Sequence, residues 1–326
     1  MKKIKRAISV RIGKNKKLEK VYSYLIKINF IAFHWKERMH MTHPGKEDKD
    51  KKYYIIRSRS NSEGLLSSYF WVLENIKWAV DNDYIPYVDF ENSNCQYHVD
   101  RIINNTKNAW EYFFTQPDNI GKVKINEKKN VLLSGWYFRD KYQLEKVKSP
   151  GSVDWSYGDA YKLITIQPYI NDMVNRIVDE KFKNRNTLGV FVRGTDYVAL
   201  RPKAHFVQPT IEQVIEKIKS FKEKYIIDQI YVVTEDYEYF CKLKEEFGTQ
   251  VFANDDNFVK NYNPNDWIAS TFSDDPYERG LAYLIRIILL TKCEYLISSK
   301  ANGSLFAELL REDSYIDEYW FDLGRY

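Results

Sequence analysis

The sequence predicts an α/β protein built from two Rossmann-like halves that face one another across a cleft. Three observations carry this expectation. Short apolar runs alternate with amphipathic helical stretches from Tyr53 onward, which is the rhythm of parallel βαβ units. A polar stretch, Lys181 to Thr187, divides that rhythm in two. The length of 326 residues, 44% of them apolar, supports two packed cores and excludes a disordered chain. The 26 tyrosines each combine a flat apolar face with a polar tip, which suits half-buried packing first and sugar contact second.

The elements follow in order. Residues 1–52 form a basic segment in which 16 Lys/Arg against five Asp/Glu give +11, leaving −6 for the rest of a chain of net charge +5. Within it, Leu18 to Trp35 reads as an amphipathic helix, with Leu18, Val21, Tyr22, Leu25, Ile28 and Phe33 on its apolar side. Such a helix either packs on the body or lies on an anionic membrane surface. Gly45 to Lys52 reads as a charged linker, and His34, His40 and His43 have no metal-ligand spacing.

Residues 53–183 make the first half. Tyr53 to Arg57 is a strand, Ser58 to Gly64 a turn, Leu65 to about Val80 a helix and Tyr84 to Phe90 a strand. Asn104 to Phe114 reads as helical and Val131 to Tyr137 as a further strand. Residues 184–326 repeat the rhythm more clearly. Strands are expected at Leu188–Val192, Gln229–Thr234, Gln250–Ala253 and Glu294–Ser298. The helices between and after them are Thr210–Lys222, Tyr237–Phe247, Glu278–Thr291 and Asn302–Arg311.

Composition removes several functions. The basic charge sits in the N-terminal segment and not on the body, and no nucleic-acid-reading motif is present. Cys95, Cys241 and Cys293 are odd in number and widely spaced, which is neither a disulfide framework nor a metal set. The basic start leads into no cleavage site, and no apolar run reaches the roughly 20 residues of a spanning helix. A cytoplasmic location is the expectation, with the inner membrane face as a surface for the basic segment.

Chemistry gathers where predicted strands end, since ligands of open α/β sheets bind at the carboxyl ends of the strands. The first strand of the second half runs into Arg193-Gly194-Thr195-Asp196. An Arg at a strand end is held rigidly, and its planar fork suits a pyrophosphate. The next strand runs into Thr234-Glu235-Asp236. The last opens into Ser298-Ser299-Lys300-Ala301-Asn302-Gly303-Ser304, a small polar turn that starts a helix and exposes backbone N–H groups to an anion. Each also has a structural reading: an ion pair for the first, helix capping for the other two.

In this order the motifs resemble the alpha-1,6- and alpha-1,2-fucosyltransferases, with the nodulation and protein O-fucosyltransferases. The resemblance covers about Leu188 to Leu310 and, more weakly, Ile55 to Phe90. Members read His-Val-Arg-Arg-Thr-Asp where this chain has Phe191 to Asp196, and Ala-Thr-Asp-Asp where it has Val233 to Asp236. The Arg279-Gly280 pair, the apolar helix and the Ser-rich turn after Lys292-Cys293-Glu294 also match. The resemblance implies a glycosyltransferase of the GT-B type with no cofactor and a GDP-fucose-like donor. It places the donor phosphates on Arg193, Ser298 and Ser299, and matches His205 to a family His.

The chain also departs from the pattern. Phe191 replaces the motif His, Gly194 a second Arg, and Arg286 a guanine-contacting carboxylate; the proposed catalytic Glu of the alpha-1,6 enzymes falls on Arg201. The donor base therefore stays open, and Asp196, with His205 behind it, is the candidate base. Metal-independent inversion onto a glycan acceptor is the expected mechanism, a lipid-linked glycan being one such acceptor. Asp81-Asn82-Asp83 matches a metal motif of another glycosyltransferase fold, but reads here as a solvated turn, as do Asp255-Asp256 and Asp274-Asp275. The non-enzymatic alternative is a nucleotide-sugar- or carbohydrate-binding protein without turnover.

Overall fold

The computed structural model describes residues 39–59, 63–135, 160–203, 205–260, 262–265, 268 and 274–326. The helix expected over Leu18–Trp35, the centre of the Ser58–Gly64 turn and the end of the Val131–Tyr137 strand lie outside the described residues.

Two sheets are present. The first has the order β1-β4-β2-β3, with β1 His40–Thr42, β2 Tyr53–Arg57, β3 Ile85–Asp89 and β4 Val131–Leu133. Strand β2 lies parallel to both β3 and β4, and β1 closes the edge antiparallel to β4. Helix α1 (Leu65–Asp81) connects β2 to β3, burying Leu66, Trp71, Leu73 and Ile76. Helix α2 (Pro168–Lys181) leads into the second half with Pro168 in its first turn, where the missing N–H costs nothing.

The second sheet is wholly parallel, in the order β7-β6-β5-β8-β9. Its strands are β5 Thr187–Phe191, β6 Gln229–Val233, β7 Val251–Phe252, β8 Tyr295–Ser299 and β9 Asp317–Phe321. Strands β5, β6 and β8 are buried along their whole length, as expected of strands covered on both faces. The helices are α3 Thr195–Leu200, α4 Ile211–Lys224, α5 Tyr237–Phe247, α6 Pro276–Leu290 and α7 Asn302–Leu310. One core packs Val190, Val214, Ile218 and Leu243 beneath α4 and α5. The larger core is continuous between the two halves, joining Tyr54, Trp71 and Phe113 to Phe191, Leu284 and Phe306. The Phe306 ring of α7 meets Tyr69 of α1 edge-on at 4.7 Å, and Phe113 stacks on Tyr277 at 5.9 Å.

Several expectations are corrected. Asn104–Phe114 forms turns and not a helix, because Asn104 and Asn105 take left-handed φ of 46° and 66°. The Asn108 side chain is also committed elsewhere, accepting from Phe90 and Trp110 N–H and donating to the Val88 carbonyl. Gly45–Lys52 is no free linker: Gly45 and Glu47 N–H bond the carbonyls of Lys128 and Glu127, and Asp48 accepts from Tyr53 at 2.6 Å. Asp255 and Asp275 are not solvated turn residues. Asp255 takes both arms of Arg286, and Asp275 caps α6 and pairs with Arg101. Asp274 pairs with Arg279 at 2.7 Å. Asp81 pairs with Lys77 one helical turn away, and Asp83 sits at φ 59° in the turn leading to β3.

Candidate functional site

In the second sheet the chain runs outward from β5 in both directions, through β6 to β7 and through β8 to β9. The topological switch therefore falls between β5 and β8, the place beyond the carboxyl ends of the strands where open α/β sheets bind ligands. Register brings the motifs to it: Phe191 lies beside Val233 on one flank and Ser298 on the other.

Arg193 is the centre of the first group. Its Nε donates to Glu235 Oε1 at 2.8 Å and its Nη2 to Asp196 Oδ1 at 3.2 Å. Its guanidinium stacks over the Tyr197 ring, 4.2 Å from the centroid. Nη1 takes part in neither of these two bonds. The two carboxylates thus fix one side of the fork and leave the other for a ligand. Burial pulls the guanidinium toward neutrality, but Glu235, Tyr197 and Asp196 outweigh it and raise its pKa, so it is always a cation.

Glu235 Oε1 also accepts from Gly194 N–H at 3.2 Å and Thr195 Oγ1 at 3.0 Å. Asp236 caps α5 through Oδ1, accepting from the N–H groups of Glu238 and Tyr239, while its Oδ2 accepts from Thr195 N–H at 3.3 Å. The Arg-Gly-Thr-Asp and Thr-Glu-Asp turns are therefore one interlocked unit. The missing second Arg has a steric reason: any β-carbon at Gly194 would lie 2.1 Å from Asp236 Oδ2. Thr195 is held at φ 42°, a strained value for a β-branched residue and a common mark of a functional turn.

Asp196 takes a different task from the one expected. It is 2% exposed, with Oδ1 accepting from Arg193 and Thr195 and Oδ2 from Ile268 N–H. Burial raises its pKa against the pull of Arg193. With both oxygens engaged in this buried cluster, Asp196 positions Arg193. His205 stands apart from the carboxylates, joined to them by Tyr197, whose ring it meets edge-on at 5.3 Å. Its Nδ1 lies 3.2 Å from the Lys203 carbonyl. The C-terminal tail holds this loop, Tyr326 N–H bonding the His205 carbonyl and Val207 N–H that of Gly324.

The Ser-rich turn forms the opposite flank. Ser304 is turned inward, its Oγ accepting from Ala301 N–H at 3.1 Å and donating to the Ser299 carbonyl at 2.8 Å. Ser298 Oγ also bonds that carbonyl, and Thr234 Oγ1 accepts from Asp236 N–H, so these hydroxyls shape turns. Ser299 Oγ is buried with no partner. Asn302 is exposed at the start of α7, and Gly303 is buried against Phe191 and Tyr283. The N–H groups opening α7 and the free Ser299 hydroxyl can together receive an anion.

Three residues escaped the motif reading. Tyr197 is the platform under Arg193, Tyr283 lies on the side of α6 turned toward the start of α7, and Asp255 neutralises Arg286. Arg279, Tyr283 and Arg286 recur at helical spacing among apolar residues, the one signal that marks this face of α6 in the sequence.

No family model and no curated protein matches the chain. Among solved structures the fold is that of the fucosyltransferases, a mixed α/β arrangement of the GT-B type. Fucosyltransferase NodZ from Bradyrhizobium superposes with a TM-score of 0.51 at 15% identity, over 84% of this chain and 96% of that one. POFUT1 in complex with GDP gives 0.48 at 9% identity, over 83% and 99%. Arabidopsis thaliana FUT1 in complex with GDP gives 0.44 at 10%, over 87% and 73%. At these identities the likeness is one of fold.

Proposed function

We propose that this protein transfers a glycosyl group, fucose or a close relative, from a nucleoside-diphosphate donor to a glycan hydroxyl. The observation that carries this reading is Arg193, clamped by Glu235 and Asp196 at the end of β5, next to the turn that opens α7. A fixed cation and a helix start flanking one switch point suit a diphosphate. The fold shared with fucosyltransferase NodZ supports glycosyl transfer as the reaction.

In this mechanism the anomeric C–O bond to the leaving phosphate breaks as the acceptor oxygen attacks from the opposite face, inverting the centre. Arg193 and the α7 N–H groups take up the developing charge on the diphosphate. The acceptor proton passes to a general base, for which His205, beside Tyr197, is the candidate. The second half holds the donor and the first the acceptor. The acceptor is a surface glycan on a lipid carrier at the inner face of the cytoplasmic membrane, where the +11 segment docks.

A thermal-shift screen of nucleoside diphosphates and their sugars tests the donor reading, because a ligand that binds only the folded state raises its melting temperature. Donor hydrolysis without acceptor then separates an enzyme from a protein that only binds. If no nucleotide raises the melting temperature, the proposal fails.

A further inference from the structure

Tyr283 sits in the third turn of α6, half-buried, on the face turned toward the start of α7. Its position is fixed by a close approach. A β-carbon at Gly303 would lie 2.8 Å from the Tyr283 hydroxyl and 2.9 Å from the Phe191 ring. Residue 303 is thus glycine so that the first turn of α7 can slide between the end of β5 and this phenol. The hydroxyl consequently lies on the backbone of the first turn of α7.

Two further facts define what this hydroxyl can do. This half-buried hydroxyl makes no hydrogen bond to a protein group among the described residues, which leaves its donor open to a ligand. It also shares the electrostatic field of Arg193, Glu235, Tyr197 and Arg286. Burial first, then Glu235 and Tyr197, push its pKa up to about 12 against the pull of Arg193, so it remains an O–H donor at neutral pH. An unspent donor at a helix start, within the field of a clamped Arg, has an oxyanion as its complement.

Resting on the donor-site reading above, we infer that Tyr283 is a donor-binding residue whose hydroxyl hydrogen-bonds a phosphate oxygen of the diphosphate, across the switch point from Arg193. The ring packs on Gly303 and Phe191 whether or not the hydroxyl is present, so Tyr283→Phe removes the hydrogen bond and keeps the packing.

The test is calorimetric titration of the full-length protein with inorganic pyrophosphate, which carries the phosphates and no base, beside titrations with GDP and UDP. Wild type is expected to bind, and Tyr283→Phe to bind pyrophosphate about tenfold more weakly, equivalent to about 1.4 kcal/mol, at an unchanged melting temperature. Wild-type binding with the Phe variant within about twofold of it overturns the inference and leaves the donor site standing. So does a lowered melting temperature with unchanged affinity, which would make the hydroxyl structural. If wild type binds neither pyrophosphate nor either nucleotide, the donor-site reading fails and takes this inference with it.

Discussion

Gly194→Ala perturbs the point where the two strand-end turns interlock. The new β-carbon would lie 2.1 Å from Asp236 Oδ2, 2.7 Å from its β-carbon and 2.8 Å from its carboxyl carbon. Carbon atoms rest roughly 3.5–4.0 Å apart, so something must move by about an ångström. Asp236 cannot yield freely, because Oδ1 holds two N–H groups of α5 and Oδ2 holds Thr195 N–H. Overpacking of this kind costs about 1–3 kcal/mol, and a lost helix cap about 1 more, for a total of about 2–4 kcal/mol. In a chain of 326 residues that lowers the melting temperature by about 3–6 °C. Gly121→Ala is the internal control, since nothing lies within 4 Å of its β-carbon position. Scanning fluorimetry of wild type and both variants reads the difference, and nucleotide binding by Gly194→Ala should weaken with it. If Gly194→Ala melts within about 1 °C of wild type, Asp236 is not held as described and the steric account of Gly194 is wrong.

Arg193→Ala should cost about 2.7–4 kcal/mol of barrier and also lower the melting temperature, since buried Asp196 and half-buried Glu235 lose their counter-ion, and Arg193→Lys should also fail because a point charge cannot replace the fork; donor turnover within about threefold of wild type would remove Arg193 from the site. EDTA should leave turnover largely unchanged; arrest by the chelator with rescue by Mn²⁺ or Mg²⁺ would return the chemistry to Asp81 and Asp83. Glu308 in α7 is pushed up to about 7 by burial and then by Glu318, from an ordinary 4.5. Its folded value is raised, so its stability contribution is complete below about 4.5 and is lost as pH rises through about 7, and Glu308→Gln should gain melting temperature over wild type from about pH 5 to about pH 8. An unchanging difference would show that Glu308 titrates normally. Deleting residues 1–38 should abolish sedimentation with anionic liposomes and spare turnover on a soluble acceptor, as should high salt. The cut must stop there, because β1 and the Gly45–Asp48 contacts belong to the first sheet. Full-length protein that ignores anionic liposomes at low salt would remove the membrane role.

The second half was legible because its signals are local. Fully buried parallel strands appear as the apolar runs Leu188–Val192 and Ile230–Val233, and Asp236 and Thr210 are visible caps, whereas the Asp275 cap was read as a solvated turn. The first half was read less well, and two of its misses share a cause. Asn108 looks like a helix residue until its amide is seen bridging the edge of β3, a partner 18 to 20 positions away. Helix α2 was missed although it is amphipathic; it buries only Ile170 and Val174 completely. Strand β1 hides in a charged segment because its partner, β4, follows some ninety residues later.

The site divides along the same line. Its edge was legible, since residues that follow buried strands must emerge at one rim. The roles of individual side chains were not, because each depends on a neighbour from another strand. Asp196 reads as a free carboxylate beside an Arg; only the approach of Ile268 and the burial of Thr195 make it a spent one. Asp255 and Arg286, 31 residues apart, read as a loop acid and an unexpected base, yet each explains the other: two hydrogen bonds of 2.8 and 2.6 Å join them. A buried Arg without that acid would carry an uncompensated charge. Where the resemblance expects one carboxylate on the helix, this chain has an Arg on the helix and the acid on a loop. The net charge of the pair is zero, not −1, at the position where the resemblance expects a guanine-contacting carboxylate. That is the physical reason to let the nucleotide screen, and not the shared fold, decide which base it is.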